Sequence, residues 1–519
     1  MFWADRVANE IKSFSKSKEQ HVNDAKTPSG RIHAGSLRGV LIHDFVHKSL
    51  LDIGVKSHYT FGIDDFDPMD SLPSYLPEEK YKKHMGKPLK DIPAPDGEGS
   101  YSEYYANDFI KVFNGLGAKP EIIWSSKLYK SGKFDGAIKI ALDNSEKIQY
   151  IYHKVSGSKK ENNWLPFLPV CPKCGKIGTT KSFDWNGKEV EFECSQNMVQ
   201  WATGCGYKGK ISPFGGSGKM PYKVEWAAKW FSLRVTVEGA GKDHSSKGGT
   251  RDVSSQIVKE IYKYDPPQDI PYEFFLFGGK KMSSSKGVGA SAAKVSEMLP
   301  PSVLRFLMAR VQPKVALDFD PGDINTVPSL FDEFDRGQKA YFEKGDEDLA
   351  DTWRASQVEE PMNNFNLRFN QVVNFVQIPG VNLEKEAEVA KGLELTEGDK
   401  NNLEERAKYA KIWLERFAPV DVKFKIAKSP PKEIQKLSES QKKFLAELAD
   451  LVGKNKDPEK FQNDIYQLGK SAHLSASDTF KAIYIVLLGK DHGPKAGSLV
   501  LAIDSEFVKN RFKEVSSVG

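Results

Sequence analysis

Hydrophobic and polar positions follow two different periods along the first third of the chain. Residues 1–14, MFWADRVANEIKSF, set Asp5, Arg6 and Glu10 among apolar side chains at helical spacing, which indicates an amphipathic helix rather than a signal peptide. A loop and a second helix follow. Residues 55–65, VKSHYTFGIDD, then alternate β-forming residues at a period of two, which predicts a strand ending in two acids. The polar, proline-rich residues 68–99 lack either period and are not expected to form a core element.

The alternation of helix and strand continues to about residue 320, with one interruption. It predicts a helix over 103–117, a strand over 121–126 and a helix over 136–155, and it resumes at 224–241. Residues 166–218 break the pattern with cysteines, many glycines and short β-like runs, as an insertion would. Alternating strands and helices favour an α/β fold with a parallel sheet covered by helices on both faces.

The last third of the chain has a helical period only. Within residues 401–419 the apolar side chains recur every three or four positions, which makes one stripe formed by Leu403, Ala407, Ala410, Leu414 and Phe417. Ser438 and Gln441 predict a capping box at the start of a further helix. The predicted organisation is a split α/β domain over 1–165 and 219–325, an insertion over 166–218 and a helical domain over 326–519.

Composition adds few constraints. The 519 residues are 39% hydrophobic and 28% charged, as in soluble globular proteins, and no run approaches the roughly 20 apolar residues of a membrane span. A cytosolic protein without a membrane partner is therefore expected. The net charge of +5 permits a polyanionic partner without requiring one.

Two glycine-rich stretches carry phosphate-binding chemistry. Residues 27–38, TPSGRIHAGSLR, stand directly before an apolar helix, whose N-terminal N–H groups and partial positive charge suit phosphate. Gly30 and Gly35 would allow close backbone approach, and His33 can donate a hydrogen bond. Residues 278–289, GGKKMSSSKGVG, offer lysine ammoniums, serine hydroxyls and loop N–H groups. Alone, each stretch is equally consistent with an ordinary polar loop.

The four cysteines, Cys171, Cys174, Cys194 and Cys205, lie within 35 residues of one another. CPKCG at 171–175 is typical of a zinc knuckle, whereas the second pair is separated by ten residues, which is long for one. Four thiolates with no open position would make a structural Zn²⁺ site. Four reduced buried cysteines are the alternative.

The ordered pair of stretches identifies a resemblance. PSGRIHAGS resembles the HIGH motif of class I aminoacyl-tRNA synthetases, with His33, Ala34, Gly35 and Ser36 in the four places, and KMSSSKG resembles their KMSKS motif. Segments along nearly the whole chain are similar to class I lysyl-tRNA synthetases: FWAD at 2–5, 63–97, SYSEYY at 100–105, GKDH at 241–244, 300–320 and 482–497.

The resemblance implies a Rossmann catalytic domain that activates lysine with ATP and Mg²⁺ and transfers it to tRNA(Lys), with an anticodon-binding helical domain. It implies catalytic roles for His33, Ser36, Lys281 and Lys286. The implied ATP-binding residues are Pro28, Gly30, His33, Gly35, Ser36, Asp243, Lys281, Met282, Ser284 and Lys286. Gly35 would leave room for the adenine ring, and the lysines would close over pyrophosphate.

The implied lysine-binding residues are Asp64, Asp65, Tyr222, His244 and Tyr272. Asp64 and Asp65 end the second strand at the sheet edge where α/β folds bind ligands, and carboxylates or aromatic faces suit an ammonium. A strand-end turn, for the acids, and core packing, for the tyrosines, are the structural alternatives.

The chain departs from the family pattern in three places. Ser36 stands where Asn or His is usual, HVNDAKTPSG replaces an ESGITPSG-like run, and Tyr222 stands where Trp is expected. Two alternatives therefore stay open. A glutamyl-type synthetase is one, although no arginine for a side-chain carboxylate appears beside GKDH or IPYEF; a tRNA-binding paralogue without catalysis is the other. The oligomeric state is open, with a monomer as the simpler expectation.

Overall fold

The computed structural model describes residues 1–281, 290–455 and 457–517. Their contacts divide the chain into two units. The first unit comprises residues 1–319 and 343–359, and the second comprises 320–342 and 360–519.

A parallel sheet organises the first unit. Strands β1 (Glu19–Lys26), β2 (Lys56–Ile63) and β3 (Glu121–Trp124) pair in parallel in the order β1-β2-β3. Two extended segments, 236–241 and 268–272, continue the sheet beyond β1 through parallel bridges that join Val22 to Val237 and Val237 to Gln268. The resulting order, β3-β2-β1 and then the two segments, matches the first five positions of a doubly wound 3-2-1-4-5-6 sheet. The predicted α/β fold with a parallel sheet is confirmed.

Strand β1 corrects the sequence-based prediction of a loop after the first helix. Its sequence, EQHVNDAK, has almost no apolar residues, yet most of its side chains are buried. The polar groups find partners inside: His21 Nε2 lies 2.7 Å from Thr60 Oγ1, and Asn23 donates to Glu238 at 2.8 Å. Because buried hydrogen bonds replace apolar packing in this strand, it shows no hydrophobic period.

The helices of the first unit alternate with these strands. Asn144 breaks the single helix predicted over 136–155 into two, since its side chain donates back to the carbonyl of Ile140 at 2.8 Å. The predicted strand 121–126 ends at Trp124, where a helix begins. The helices are α1 (Trp3–Phe14), α2 (Gly35–Asp52), α3 (Glu78–Tyr81), α4 (Tyr101–Gly115), α5 (Ser125–Lys130), α6 (Asp135–Asp143), α7 (Ser145–Ser156), α8 (Tyr222–Leu233), α9 (Lys242–Ser245), α10 (Thr250–Glu260), α11 (Ala292–Ser296) and α12 (Pro301–Ala309).

Residues 68–99 contain only α3 and two 3₁₀ turns, Lys82–His84 and Leu89–Asp91. A small apolar cluster holds them against α4, formed by Met69, Tyr81, Leu89, Ile92, Tyr101 and Tyr105. They lie outside the central sheet, as the absence of a period predicted.

Residues 168–219 form a separate antiparallel region. The two-residue strands β4 (Leu168–Pro169) and β8 (Gly218–Lys219) pair at its base. Between them, β5 (Thr180–Trp185), β6 (Val190–Cys194) and β7 (Lys208–Ile211) make an antiparallel sheet. Downstream, β9 (Phe275–Phe277) and β10 (Leu317–Phe319) form a short parallel pair.

The described residues of the second unit contain helices and no strand. The stripe predicted over residues 401–419 is buried at Leu403, Ala407 and Ala410, and the predicted capping box of Ser438 and Gln441 is present. The remaining helices are α13 (Thr326–Glu343), α14 (Glu347–Ser356, in the first unit), α15 (Phe369–Phe375), α16 (Leu383–Lys391), α17 (Glu397–Arg416), α18 (Glu439–Leu451), α19 (Pro458–Ser471), α20 (Ala476–Leu488), α21 (Ala496–Ala502) and α22 (Ser505–Ser516). Among the described helices, none has the length and apolar character to span a membrane.

Candidate active site

The two motif stretches meet at one edge of the parallel sheet. The order of the strands reverses between β1 and segment 236–241, and ligands of open α/β sheets bind beyond the carboxyl ends of the strands at this switch point. The first stretch leaves β1 here and leads into α2. The Gly241–His244 stretch leaves the neighbouring segment at the same edge.

The chain that follows the second motif lies hydrogen-bonded against the first. Ala34 N donates to Ala290 O at 3.0 Å, Ala292 N donates to Ile32 O at 2.8 Å, and His33 forms an antiparallel bridge with Ser291. Residues 290–292 therefore lie beside His33. The predicted ligands Met282, Ser284 and Lys286 belong to residues 282–289, outside the described residues.

Lys281 stands at the other end of that segment. Its ammonium binds both carboxylate oxygens of Asp243, at 2.8 and 3.0 Å, and lies 4.0 Å from the centre of the Phe274 ring. Both predicted ATP-binding residues are exposed at the rim of the switch point. The pairing holds the GKDH loop and the start of the second motif together.

The first motif is held by its surroundings. Pro28 and Gly30 are buried in the loop, Thr27 Oγ1 donates to Asp67 at 2.6 Å, and the Tyr101 hydroxyl donates to Ser29 O at 2.9 Å. Gly35 opens α2, and Ser36 N donates to His33 O at 3.0 Å in its first turn. The loop geometry is thus fixed before any ligand arrives.

His33 is a neutral donor at this position. Burial first, and then the positive charges of Lys26 and Lys281, lower the pKa of His33 to about 3. A neutral imidazole offers phosphate a hydrogen bond without adding a charge.

The two arginines of the first motif stretch contact other parts of the protein. Arg38 is buried, and its guanidinium donates to five backbone carbonyls, those of Glu273, Phe274, Gln312, Pro313 and Val315. Arg31 is exposed and stacks on Tyr75, 4.4 Å from the ring centre. Arg38 therefore anchors α2 to the segments on both sides of the second motif.

Three aromatic rings gather on the α8 side of the switch point. Tyr222 stacks on Trp226 with ring centres 5.8 Å apart, and His244 lies 5.9 Å from Tyr222 and 6.0 Å from Trp226. Tyr272 pairs through its backbone with Gly241. The predicted residues Tyr222, His244 and Tyr272 are thus brought to one edge, with Trp226 as an unpredicted member.

The two acids that end β2 are bound by groups of the chain itself. Asp64 accepts from Ser125 Oγ at 2.5 Å and pairs with the buried ammonium of Lys229. Asp65 accepts from Ser126 N at 2.8 Å. Both carboxylates are buried, and they hydrogen-bond to the first two residues of α5, where Asp65 accepts from a backbone N–H. Their role towards lysine stays a prediction.

Asp64 belongs to a buried ionic network of three carboxylates and two ammoniums. Lys219 contacts Asp67 and lies 2.6 Å from Glu225. Burial opposes the charge of Lys229, but Asp64 and Glu225 raise its pKa to about 12. Burial raises the pKa of Glu225 despite both lysines. A proton on Glu225 makes the network neutral, which low-dielectric surroundings favour.

The four cysteines form a metal-binding geometry. All four Sγ atoms lie within 4.8 Å of one another, with 3.6 Å between Cys171 and Cys205 and 3.7 Å between Cys174 and Cys194. A tetrahedral zinc with Zn–S bonds of about 2.3 Å requires sulfur–sulfur distances of about 3.8 Å. The residues therefore fit a closed four-thiolate site, and Thr179 Oγ1, 3.3 Å from Cys194 Sγ, can support it.

The long spacer between Cys194 and Cys205 loops out between β6 and β7. Gly204 N donates to Ser195 O at 3.2 Å, and Gly206 N donates to Cys194 O at 2.9 Å, which closes the loop at its neck. The ten intervening residues therefore form a closed loop, and the sulfurs of Cys194 and Cys205 still lie within 4.8 Å of each other.

Comparison with known proteins decides the family. The model of the tRNA synthetases class I (K) family matches residues 1–361. The lysine–tRNA ligase of Thermoplasma acidophilum is 35% identical over 99% of both chains. Lysine–tRNA ligase 1 of Methanosarcina acetivorans is 34% identical over 100% of this chain and 99% of its own. The lysine–tRNA ligase of Archaeoglobus fulgidus is 33% identical over 99% of both.

The chain belongs to the class I lysyl-tRNA synthetases. The predicted family, the predicted class of enzyme and the predicted lysine–tRNA ligase function are confirmed. The switch point of this synthetase also contains several groups that lie outside the predicted site residues. Trp226 could have been found from its i+4 spacing to Tyr222 on α8. Lys26 and Asp24 lie in HVNDAKTPSG, the run that departs from the family pattern. Nothing in the local sequence indicates that His43 is buried at the switch point.

Proposed function

We propose that this protein makes lysyl-adenylate from lysine and ATP at the edge between β1 and segment 236–241, and then transfers lysine to tRNA(Lys). The observation that carries the proposal is the pairing of residues 32–34 with 290–292, because it joins the two motif stretches around one site. The lysine carboxylate attacks the α-phosphate, the bond from that phosphorus to the bridging oxygen breaks, and pyrophosphate leaves. The 2′-hydroxyl of the terminal adenosine then accepts the lysyl group.

The residues of the first motif orient ATP in this proposal. His33 donates a neutral hydrogen bond to phosphate, Gly35 and Ser36 lie under the nucleotide, and Lys281 is released from Asp243 to meet the pyrophosphate. Fixed donors around the reacting phosphate stabilise its developing charge without reorganisation. Mg²⁺ is held chiefly by the ATP phosphates and water.

Lysine occupies the pocket between Tyr222, His244 and Tyr272 in this proposal. The aromatic faces suit its aliphatic stem and ammonium groups. Asp64 supports this pocket through its pair with Lys229 and its bond to Ser125, and Asp65 does so through its bond to Ser126 at the start of α5.

The other regions have supporting roles. Cys171, Cys174, Cys194 and Cys205 hold one structural Zn²⁺ in the insertion of a Rossmann catalytic domain, and the helical second unit binds the anticodon region of the tRNA. We place the protein in the cytoplasm as a monomer.

ATP–pyrophosphate exchange tests the proposal most directly. Lysine and glutamate are supplied separately, each with and without tRNA, to the full-length protein. Lysine-dependent exchange is expected, and any dependence on tRNA shows whether the RNA assembles the site. Exchange with glutamate alone supports a glutamyl-type enzyme, and no exchange by folded protein supports a tRNA-binding paralogue.

A matched pair of histidine variants localises the activity. His33→Asn is expected to lower exchange by roughly 10²-fold, as for loss of a donor to a reacting centre. His153→Asn, an exposed position on α7, is expected to leave it unchanged. Equal rates for the two variants would argue against the assigned site.

A further inference from the structure

Lys26 is the last residue of β1 and part of the run in which this chain departs from the family pattern. In an ESGITPSG-like run the position before the threonine is an isoleucine; here it is a lysine. Its carbonyl accepts from Asp64 N at 3.0 Å, so its backbone is fixed at the carboxyl end of the strand. The departure therefore introduces a cation at the switch point.

Strand alternation gives the direction of the Lys26 side chain. Residues two apart in a strand share a face, so Lys26 projects from the same face as Asp24. Asp24 faces α2, since a Cβ added to Gly39 would lie 3.1 Å from Asp24 Oδ2. Lys26 is two residues closer to the sheet edge and therefore extends towards the first turn of α2 and the loop that carries His33.

Lys26 lacks the partners that the other interior lysines have. Lys219 and Lys229 each contact two carboxylates. The half-buried Lys26 has no hydrogen bond or ion pair to any described side chain. Burial lowers the pKa of Lys26, and Asp24 opposes that shift without forming an ion pair. An anionic ligand beside this desolvated lysine would restore its charged form and pair with it.

The ammonium acts on the two histidines of the predicted site. Burial and then Lys26 lower the pKa of His33, and partial burial and then Lys26 lower the pKa of His244. Lys281 acts on both from the rim, but Asp243 already neutralises it. Lys26 is therefore a cationic group between the loop of His33 and the GKDH loop that has no ion pair to a described residue.

We propose that Lys26 is a further catalytic residue of this synthetase, whose ammonium binds the α-phosphate of ATP and of lysyl-adenylate. The inference rests on the proposed adenylate-forming function. As the carboxylate oxygen bonds to the α-phosphorus and the bond to pyrophosphate breaks, negative charge spreads over the non-bridging oxygens of the α-phosphate. An ammonium fixed at the sheet edge stabilises that charge, and it transfers no proton.

The test compares binding of AMP and of adenosine to the full-length protein by calorimetry. The two ligands differ only in the α-phosphate, so their affinity ratio reports its contacts. Lys26→Met removes the charge at nearly constant length, and Lys26→Arg keeps it. Lys56→Met is the matched control, because Lys56 begins β2 at the opposite edge of the same sheet. Lysine-dependent exchange is measured on the same samples.

Lys26→Met is expected to weaken AMP roughly ten- to a hundredfold, the range of a charged hydrogen bond, and to leave adenosine within about twofold. Lys26→Arg should restore most AMP affinity, and Lys56→Met should change neither ligand. An unchanged AMP-to-adenosine ratio in Lys26→Met, or an equal loss of both ligands, overturns the proposal. Wild-type protein that prefers AMP through Lys26 but shows no lysine-dependent exchange refutes the proposed adenylation, and with it catalysis by Lys26, while retaining the phosphate contact.

Discussion

His43 accepts a hydrogen bond from the backbone N–H of Gly239 through its Nε2, at 2.7 Å. Its Nδ1 donates to the carbonyl of Gly39 at 2.7 Å, so the imidazole holds one defined tautomer. Burial lowers the pKa of His43, which keeps Nε2 free of the second proton that would block the bond. A buried side chain of α2 thus fixes the segment that leads into Gly241 and Asp243.

Replacing this acceptor should affect both stability and substrate binding. His43→Phe leaves the Gly239 N–H buried without a partner, and the expected cost is about 1–3 kcal/mol. The melting temperature should fall and the KM values for ATP and lysine should rise. His47→Phe, one turn later on α2, is the control and should spare the KM values. Equal kinetic effects of the two variants would exclude a specific role for His43.

Gly39 illustrates a helical glycine whose replacement should destabilise the protein. Glycine to alanine inside a helix normally adds up to about 1 kcal/mol of stability. At Gly39 the added Cβ would lie 2.6 Å from the hydroxyl of Tyr272. Gly39→Ala is therefore expected to lower the melting temperature, and Tyr272→Phe should partly relieve it in the double variant.

Gly136→Ala provides the comparison, because its Cβ would have no neighbour within 4 Å in α6. That variant should be neutral or stabilised in the same melting experiment. A stabilised Gly39→Ala would show that Tyr272 does not pack against α2.

Removal of the metal should unfold the cysteine-containing insertion at a lower temperature than the parallel sheet. Mass spectrometry of the native protein is expected to find one zinc per chain, and Cys194→Ser should abolish it. Thr179→Val removes the hydroxyl beside Cys194 Sγ and should accelerate zinc loss to a chelator, with metal affinity roughly 10–100-fold lower. A full complement of zinc in Cys194→Ser would contradict the four-thiolate assignment.

Removal of one buried cation from the ionic network should lower the free energy of unfolding substantially. Lys219→Met leaves Asp67 without its main counter-charge, and the expected loss of unfolding free energy is about 3–5 kcal/mol. Adding Asp67→Asn should recover part of it, since the double variant buries one charge fewer. Lys139→Met breaks an exposed pair with Asp143 and should cost at most about 1 kcal/mol. Denaturant unfolding of the three variants checks the order.

Protonation of the buried His21 is expected to lower the stability of the folded protein in acid. Burial lowers its pKa to about 4 from the ordinary 6.5, so the unfolded chain takes up the proton first as the pH falls. The neutral folded form is fully favoured above pH of about 6.5, and by pH 5 the loss is about 2 kcal/mol. Melting temperatures at pH 7 and pH 5 should therefore diverge less in His21→Asn than in wild type. An identical difference in both proteins would rule out His21 as a source of the acid sensitivity.

The sequence predicted most of the fold where burial is apolar. The β-forming residues of β2, the helical spacing in α1 and α4, and the stripe in α17 all bury apolar side chains in a core, so these elements are visible in the local sequence. The prediction was wrong at β1, where His21 and Asn23 are buried through hydrogen bonds. It was also wrong at Asn144, because a side-chain bond to the backbone competes with the helix.

The sequence by itself determined the family and predicted the residues of the candidate site, because the two motif stretches, the cysteines and the GKDH loop are short runs of recognisable chemistry. Only the tertiary structure decided which groups share a partner. Asp64 pairs with Lys229, 165 positions away in the chain, and Arg38, in the first turns of α2, donates to carbonyls between residues 273 and 315. It also decided that Lys26 makes no ion pair with the described residues. Pairing and charge balance depend on distances across the sheet, and a linear sequence does not contain those distances.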